Sequence, residues 1–246
     1  MIRWVFLDIG GVILDEDVLT YHVFTRHAEA ILEKHPGLTL LDLIMEREAA
    51  VRGGALWPVF EMASRYLDEE HVARIWEDTD REVRSRYADF LPPLAGSVAA
   101  IRDLASRYQL GLIANQPAEV RGTLDELGVL RYFIVVCLSE EVGFTKPDRR
   151  IFQIALDRAG IPGTEALMVG DRIRHDIAPA SQLGMATALI LRNGPRDDAI
   201  SRAGSDFSAY QASLRRREAE ESLVSDSGTN KIESLERLTC LLKGLP

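Results

Sequence analysis

Five short runs of apolar, strand-favouring residues punctuate the chain: Ile2–Leu7, Leu110–Ala114, Phe133–Leu138, Ala166–Val169 and Ala186–Leu191. From the second onward they are separated by amphipathic segments of helical length, among them Pro117–Leu127, Arg149–Ala159 and Asp176–Leu183. Strands alternating with helices predict βαβ units joined into a mainly parallel sheet, an α/β fold.

The alternation breaks once. Between the first and second runs the spacing predicts helix after helix, at Tyr21–Lys34, Leu40–Val51, Pro58–Tyr66 and Glu70–Tyr87, with breakers at Pro36-Gly37 and Gly53-Gly54. This predicts an inserted α-helical domain over residues 17–90. Pro92-Pro93 and Gly96 mark the return to a discontinuous core of residues 1–16 and 91–246. Tyr21, Phe24 and Phe60 fall on apolar stripes of the insert. Residues 194–231 are polar, with a charged helical stretch expected near Tyr210–Glu221 and a loop at Ser225–Gly228. Arg215-Arg216-Arg217 is followed at once by Glu218, Glu220 and Glu221, so it reads as a solvated helix face. A closing amphipathic helix is expected over Ile232–Leu242.

Composition narrows the function classes. A hydrophobic content of 46% and a charged content of 27% are ordinary for a soluble globular chain of 246 residues. The net charge of −9 argues against nucleic-acid or anionic-membrane partners. Two cysteines, Cys137 and Cys240, are expected to be reduced. No signal peptide and no apolar stretch of membrane-spanning length is evident, so the expected location is the cytoplasm.

Chemistry-bearing residues fall at or just after the C-terminal ends of four of these elements, where open α/β sheets place their ligands. Asp8 follows the first run and enters a glycine turn, Ile9-Gly10-Gly11-Val12. Asn115 follows the second. Lys146 lies in the loop Gly143-Phe144-Thr145-Lys146-Pro147-Asp148, and Gly170-Asp171 with Asp176 follows the fourth. Taken singly, each has a plainer reading: Asp8 as a turn residue, Lys146 as a surface lysine, Asp171, Asp176 or Asn115 as helix caps. His175 reads as a loop residue. Arg52, Gly53, Gly54 and Trp57 form a turn of the insert, either a ligand contact or a turn with Trp57 packed into the core.

Asp8-Ile9-Gly10-Gly11-Val12, Lys146-Pro147-Asp148 and Gly170-Asp171-Arg172-Ile173-Arg174-His175-Asp176, in this order, resemble the haloacid dehalogenase-like superfamily. The likeness is to members with a helical cap inserted after the first strand, and it covers nearly the whole chain. It implies a Rossmann-like three-layer core with five or more strands. It also implies a hydrolase of small phosphorylated metabolites acting through an aspartyl-phosphate on Asp8. By the same resemblance, Lys146 neutralises the phosphoryl oxygens. Backbone N–H groups at Ile9 and Gly10, with Asn115, hold the others. Mg²⁺ is held by Asp8, the Gly10 carbonyl, Asp171 and Asp176. A monomer or homodimer is expected.

Two positions depart from the family pattern. Gly10 stands where most such phosphatases carry a proton-donating Asp, a group worth ~10²–10⁴-fold in rate. Ala114 stands where a phosphate-binding Ser or Thr is usual. Substrates with good leaving groups, such as acyl phosphates or sugar 1-phosphates, suffer least. Asp15 or Asp17 is a surrogate acid in one alternative. Two other functions stay open: metal-free dehalogenation of a 2-halo acid, and binding of a phosphorylated ligand or protein without efficient turnover.

Overall fold

A computed structural model describes residues 1–55, 57–191, 206–214 and 229–243. The chain divides into two compact units. One comprises Met1–Asp15, Leu91–Asn193 and Glu220–Pro246, the other Glu16–Phe90 and Gly194–Ala219.

The first unit is built on a six-stranded sheet of order β3-β2-β1-β4-β5-β6, every neighbouring pair parallel. The strands are β1 (Trp4–Leu7), β2 (Gln109–Ala114), β3 (Phe133–Leu138), β4 (Ala166–Gly170), β5 (Ala186–Ile190) and β6 (Asn230–Ile232). β1 and β4 are buried throughout, because helices cover both faces of a parallel sheet. Trp4 and Phe6 stack at 5.5 Å and join one core cluster with Phe152 and Leu156 of helix Arg149–Ala159. Strand alternation turns Val5 and Leu7 to the opposite face. Helices Ser97–Ala105 and Leu235–Lys243 pack against each other.

Gly111 of β2 is part of this core's fit. A Cβ there would run into the Phe6 ring of the paired strand.

The five strands expected from sequence are present, with ends displaced by a residue or two. β6 was not expected. It has three residues, of which only Ile232 is buried, so it carries no apolar run to recognise. The closing helix accordingly begins at Leu235, not Ile232. The helix expected over Asp176–Leu183 is instead a π-helical turn, Ile173–Ile177, running into the short helix Ala178–Ser181.

The second unit contains helices Asp17–Lys34, Leu40–Arg52, Pro58–Ala63, Glu69–Ser85 and Tyr87–Phe90, and a further helix over 206–214. Its core gathers Phe24, Ala28, Ile31, Leu43, Ile44 and Met62 with Tyr210 and Leu214. That packing is why residues 206–214 belong here, beyond the expected 17–90. Phe24 is buried, and Tyr21 and Phe60 pack partly buried beside it. Trp57 is 63% exposed, with its ring edge against Trp76, so it does not enter the core. The expected helix beyond 214, Arg215-Arg216-Arg217 and the Ser225–Gly228 loop lie outside the described residues. Cys137 is free and buried; the Cys240 side chain lies outside the description. Among the described residues no helix is long and apolar enough to cross a membrane.

Replacing Gly111 by Ala should cost about 1–3 kcal/mol by overpacking. Urea unfolding of Gly111→Ala, Phe6→Leu and the double variant checks it, since the double loss should fall short of the sum.

His27 provides a pH handle in the helical unit. It is fully buried, its Nδ1 sits 2.8 Å from the Val23 carbonyl, and Nε2 has no partner. Burial therefore holds its pKa below the ordinary 6.5. The unfolded chain binds the proton more readily, so this stability is fully present above about pH 6.5 and is lost as pH falls. Denaturation at pH 7 and pH 5 should show a smaller acid loss in His27→Gln than in the parent.

Candidate active site

Asp8 stands one residue past β1, and its N–H donates to the Val169 carbonyl at 2.9 Å, extending the ladder to β4. The chain then turns tightly. Ile9 carbonyl accepts from the N–H groups of Val12, Ile13 and Leu14, while Gly11 N–H donates to Leu14 at 2.8 Å. Gly11 has φ +70°, a conformation that side-chain-bearing residues rarely adopt. The Ile9 N–H donates to Asp8 Oδ1 at 2.8 Å, so the carboxylate is fixed by its own turn.

Lys146 reaches this carboxylate from the loop before helix Arg149–Ala159. Its Nζ lies 2.7 Å from Asp8 Oδ1 and 2.6 Å from Asp176 Oδ1, with its side chain almost wholly enclosed. The backbone of Lys146 is held in turn. Asn115, next after β2, accepts from the Lys146 N–H at 2.7 Å and donates from Nδ2 to its carbonyl at 3.0 Å. The peptide from Lys146 to Pro147 is cis.

Asp176 is brought in by the π-helical turn after β4. Its N–H donates to the Arg172 carbonyl at 2.8 Å, and its Oδ2 accepts from the Arg172 N–H at 3.0 Å. Gly170 makes room for it. A Cβ at 170 would overlap the Asp176 side chain.

Asp8, Asp171 and Asp176 each offer a carboxylate oxygen, and these atoms lie within 4.8 Å of one another. Lys146 pairs directly with two of these three carboxylates, Asp8 and Asp176. Burial pushes Asp8 up to about 8, with Asp176 and Asp171 adding to the rise and Lys146 opposing it. Asp176 is raised for the same reasons, burial first. For Lys146, burial acts to lower the pKa, but Asp176 and Asp8 outweigh it and the ammonium is held. An all-oxygen, carboxylate-rich set fits a hard divalent cation.

The geometry brings Asp8, Lys146 and Asp176 into direct contact, with Asp171 alongside. Two expected phosphate contacts are engaged otherwise. The Ile9 N–H faces Asp8, and both ends of the Asn115 amide face the Lys146 backbone. Gly10 carries no side chain, and Ala114 is a buried methyl at the end of β2. His175 lies within the π-helical turn, partly buried. Two roles were not assigned from the sequence: that of the Arg172 N–H, which leaves no sequence signal, and the space that Gly170, itself part of the motif, leaves for Asp176. A glycine ending an apolar strand marks a close approach, and that signal was there to use.

A family model for haloacid dehalogenase-like hydrolases matches residues 2–184. The chain belongs to this family. Pyrimidine 5'-nucleotidase YjjG of Escherichia coli is 35% identical over 102 residues, 41% of this chain and 45% of that protein. The glyceraldehyde 3-phosphate phosphatase of Methanothermobacter thermautotrophicus is 37% identical over 102 residues, again 41% and 45%. The chain thus spans less than half the length of these curated relatives. Among solved structures, a haloacid dehalogenase-like phosphatase from Thermococcus onnurineus superposes with a TM-score of 0.60 at 22% identity, over 99% of each chain. That likeness supports the fold of this haloacid dehalogenase-like hydrolase.

Asn115→Ala should destabilise the protein by about 1–3 kcal/mol through loss of two hydrogen bonds. Asn115→Asp should be worse, because a carboxylate oxygen then faces the Lys146 carbonyl. Chemical denaturation of both variants tests that order.

Proposed function

We propose that this protein is a Mg²⁺-dependent phosphohydrolase of small phosphorylated metabolites, with Asp8 as nucleophile. The observation that carries the reading is the buried Asp8 carboxylate, fixed by the Ile9 N–H and Lys146 beside two further carboxylates. The phosphatases related in sequence support it.

In this reading an Asp8 oxygen attacks phosphorus, the bond to the leaving oxygen breaks, and the phosphoryl group passes to Asp8. Water then attacks phosphorus and releases phosphate, restoring the carboxylate. Lys146 holds its charge beside the carboxylate, where charge on the phosphoryl oxygens must be met. Asp8, Asp171, Asp176 and the Gly10 carbonyl would hold Mg²⁺, whose contribution is to neutralise phosphate charge so that an anion can approach it. Gly10 leaves the leaving oxygen without the usual side-chain proton donor. The substrates that fit are acyl phosphates and sugar 1-phosphates, which depart with least help. A cytoplasmic location and a monomer or homodimer belong to the same proposal.

Metal-free dehalogenation of a 2-halo acid also begins with an Asp attack. Three clustered carboxylates would repel a carboxylate substrate, which favours the phosphatase.

Acetyl phosphate and p-nitrophenyl phosphate should be hydrolysed with Mg²⁺, with turnover lost on chelation. Asp8→Asn should lower turnover at least a thousandfold, on the order of losses seen when nucleophiles are removed. Chloride release from 2-chloropropionate in the presence of chelator would overturn the reading in favour of dehalogenation.

A further inference from the structure

Among the described residues, the helical unit buries a cation without an anion. Arg47, on helix Leu40–Arg52, is only 6% exposed, and its Nε is enclosed with no hydrogen-bond partner. Its guanidinium carbon lies 4.8 Å from the centroid of the Tyr210 ring. Among the described residues no carboxylate pairs with it, although neighbouring arginines are paired: Arg52 with Glu48 at 3.8 Å, and Arg65 with Glu61 at 3.2 Å. Arginine is almost never buried to this degree unless paired, because removing its charge from water costs several kcal/mol. A ring face recovers only about 0.5–2 kcal/mol.

The surroundings are unusual in the same way. Tyr210 Oη and Ser213 Oγ are enclosed and unpartnered, as is Gln211 Oε1. Gln211 Nε2 does donate to Asp17, at 3.1 Å. These side chains belong to the helix over 206–214 that completes the unit's core. A stable apolar core has no use for such a set. A planar guanidinium with unspent donors, backed by an aromatic ring, is suited to a planar or tetrahedral oxyanion.

We propose that Arg47, stacked on Tyr210, is an anion-binding position of the helical unit that accepts a carboxylate or phosphate group of a small acidic ligand. The inference stands independently of the reaction at Asp8. The acceptor that Arg47 lacks among the described residues is an anionic oxygen. Binding there replaces the absent ion pair and stabilises the unit.

The test uses the full chain in chelator, with orthophosphate and malonate as separate probes, following thermal stability and calorimetric binding. The parent and Asp8→Asn should both bind at least one probe, because Asp8 is not part of this site. Arg47→Met should weaken that binding at least about tenfold, while Arg47→Lys retains part of it. Preference for one probe separates a phosphate ligand from a carboxylate one. Unchanged affinity in Arg47→Met would overturn the proposal, as would the absence of anion binding in both the parent and Asp8→Asn. If Arg47→Met fails to fold, Arg47→Lys and Tyr210→Phe carry the comparison. Affinity unchanged in both would overturn it equally.

Discussion

Lys146 brings an ammonium group into the protein interior and sets it within 2.7 Å of Asp8 and 2.6 Å of Asp176. Each of the three charges is costly to bury alone, and each is tolerable because of the others. The arrangement constrains the backbone around it. Asn115 must grip the Lys146 backbone, Gly170 must lack a side chain, and the turn after β4 must open into a π-helical loop so that Asp176 faces inward. A hydrophobic cluster of similar volume would stabilise the fold more simply. The sheet instead carries a charged centre whose value is chemical, and its position across the ends of β1, β2 and β4 follows from the strand order.

Much of this was legible in the sequence because strong local signals coincided with the global fold. The apolar runs at Trp4–Leu7 and Phe133–Leu138 and the helix Arg149–Ala159 all have clear periodicity and clear boundaries. Asp8, Lys146, Asp171 and Asp176 could be grouped because strand ends in a parallel sheet converge. β6 was illegible because its pairing rests on backbone hydrogen bonds with one buried side chain. The affiliation of residues 206–214 was equally hidden, since it depends on Tyr210 and Leu214 filling a core begun far upstream. Asn115 shows a subtler limit. Its place at a strand end marked it as part of the site, but only geometry shows that its amide faces a backbone.

The two units differ in how far buried polarity is matched, although Ser97 Oγ of the sheet unit is also buried without a partner. In the sheet unit, polar groups near Asp8 are matched by partners at hydrogen-bond distance. In the helical unit, His27, Arg47, Tyr210 and Ser213 each leave a buried polar atom without one. Unmatched buried groups subtract from stability, so the helical unit has less in reserve than its apolar core suggests. A unit of this kind responds strongly to whatever supplies the missing partners.

The sheet order also governs how the molecule is made. Among the strands of this sheet β1 is synthesised before the others, yet its two neighbours are β2, beginning at Gln109, and β4, ending at Gly170. At ~5–20 residues per second, an apolar strand bearing the nucleophile waits roughly 8–30 s for its second partner. The helical unit is in the same position, because Phe24 meets Tyr210 only once residues far downstream exist. Neither unit can close during early synthesis. Trp4–Leu7 therefore stays unpaired on its β4 side until that strand is made, so the order of synthesis sets how long this apolar strand stays open.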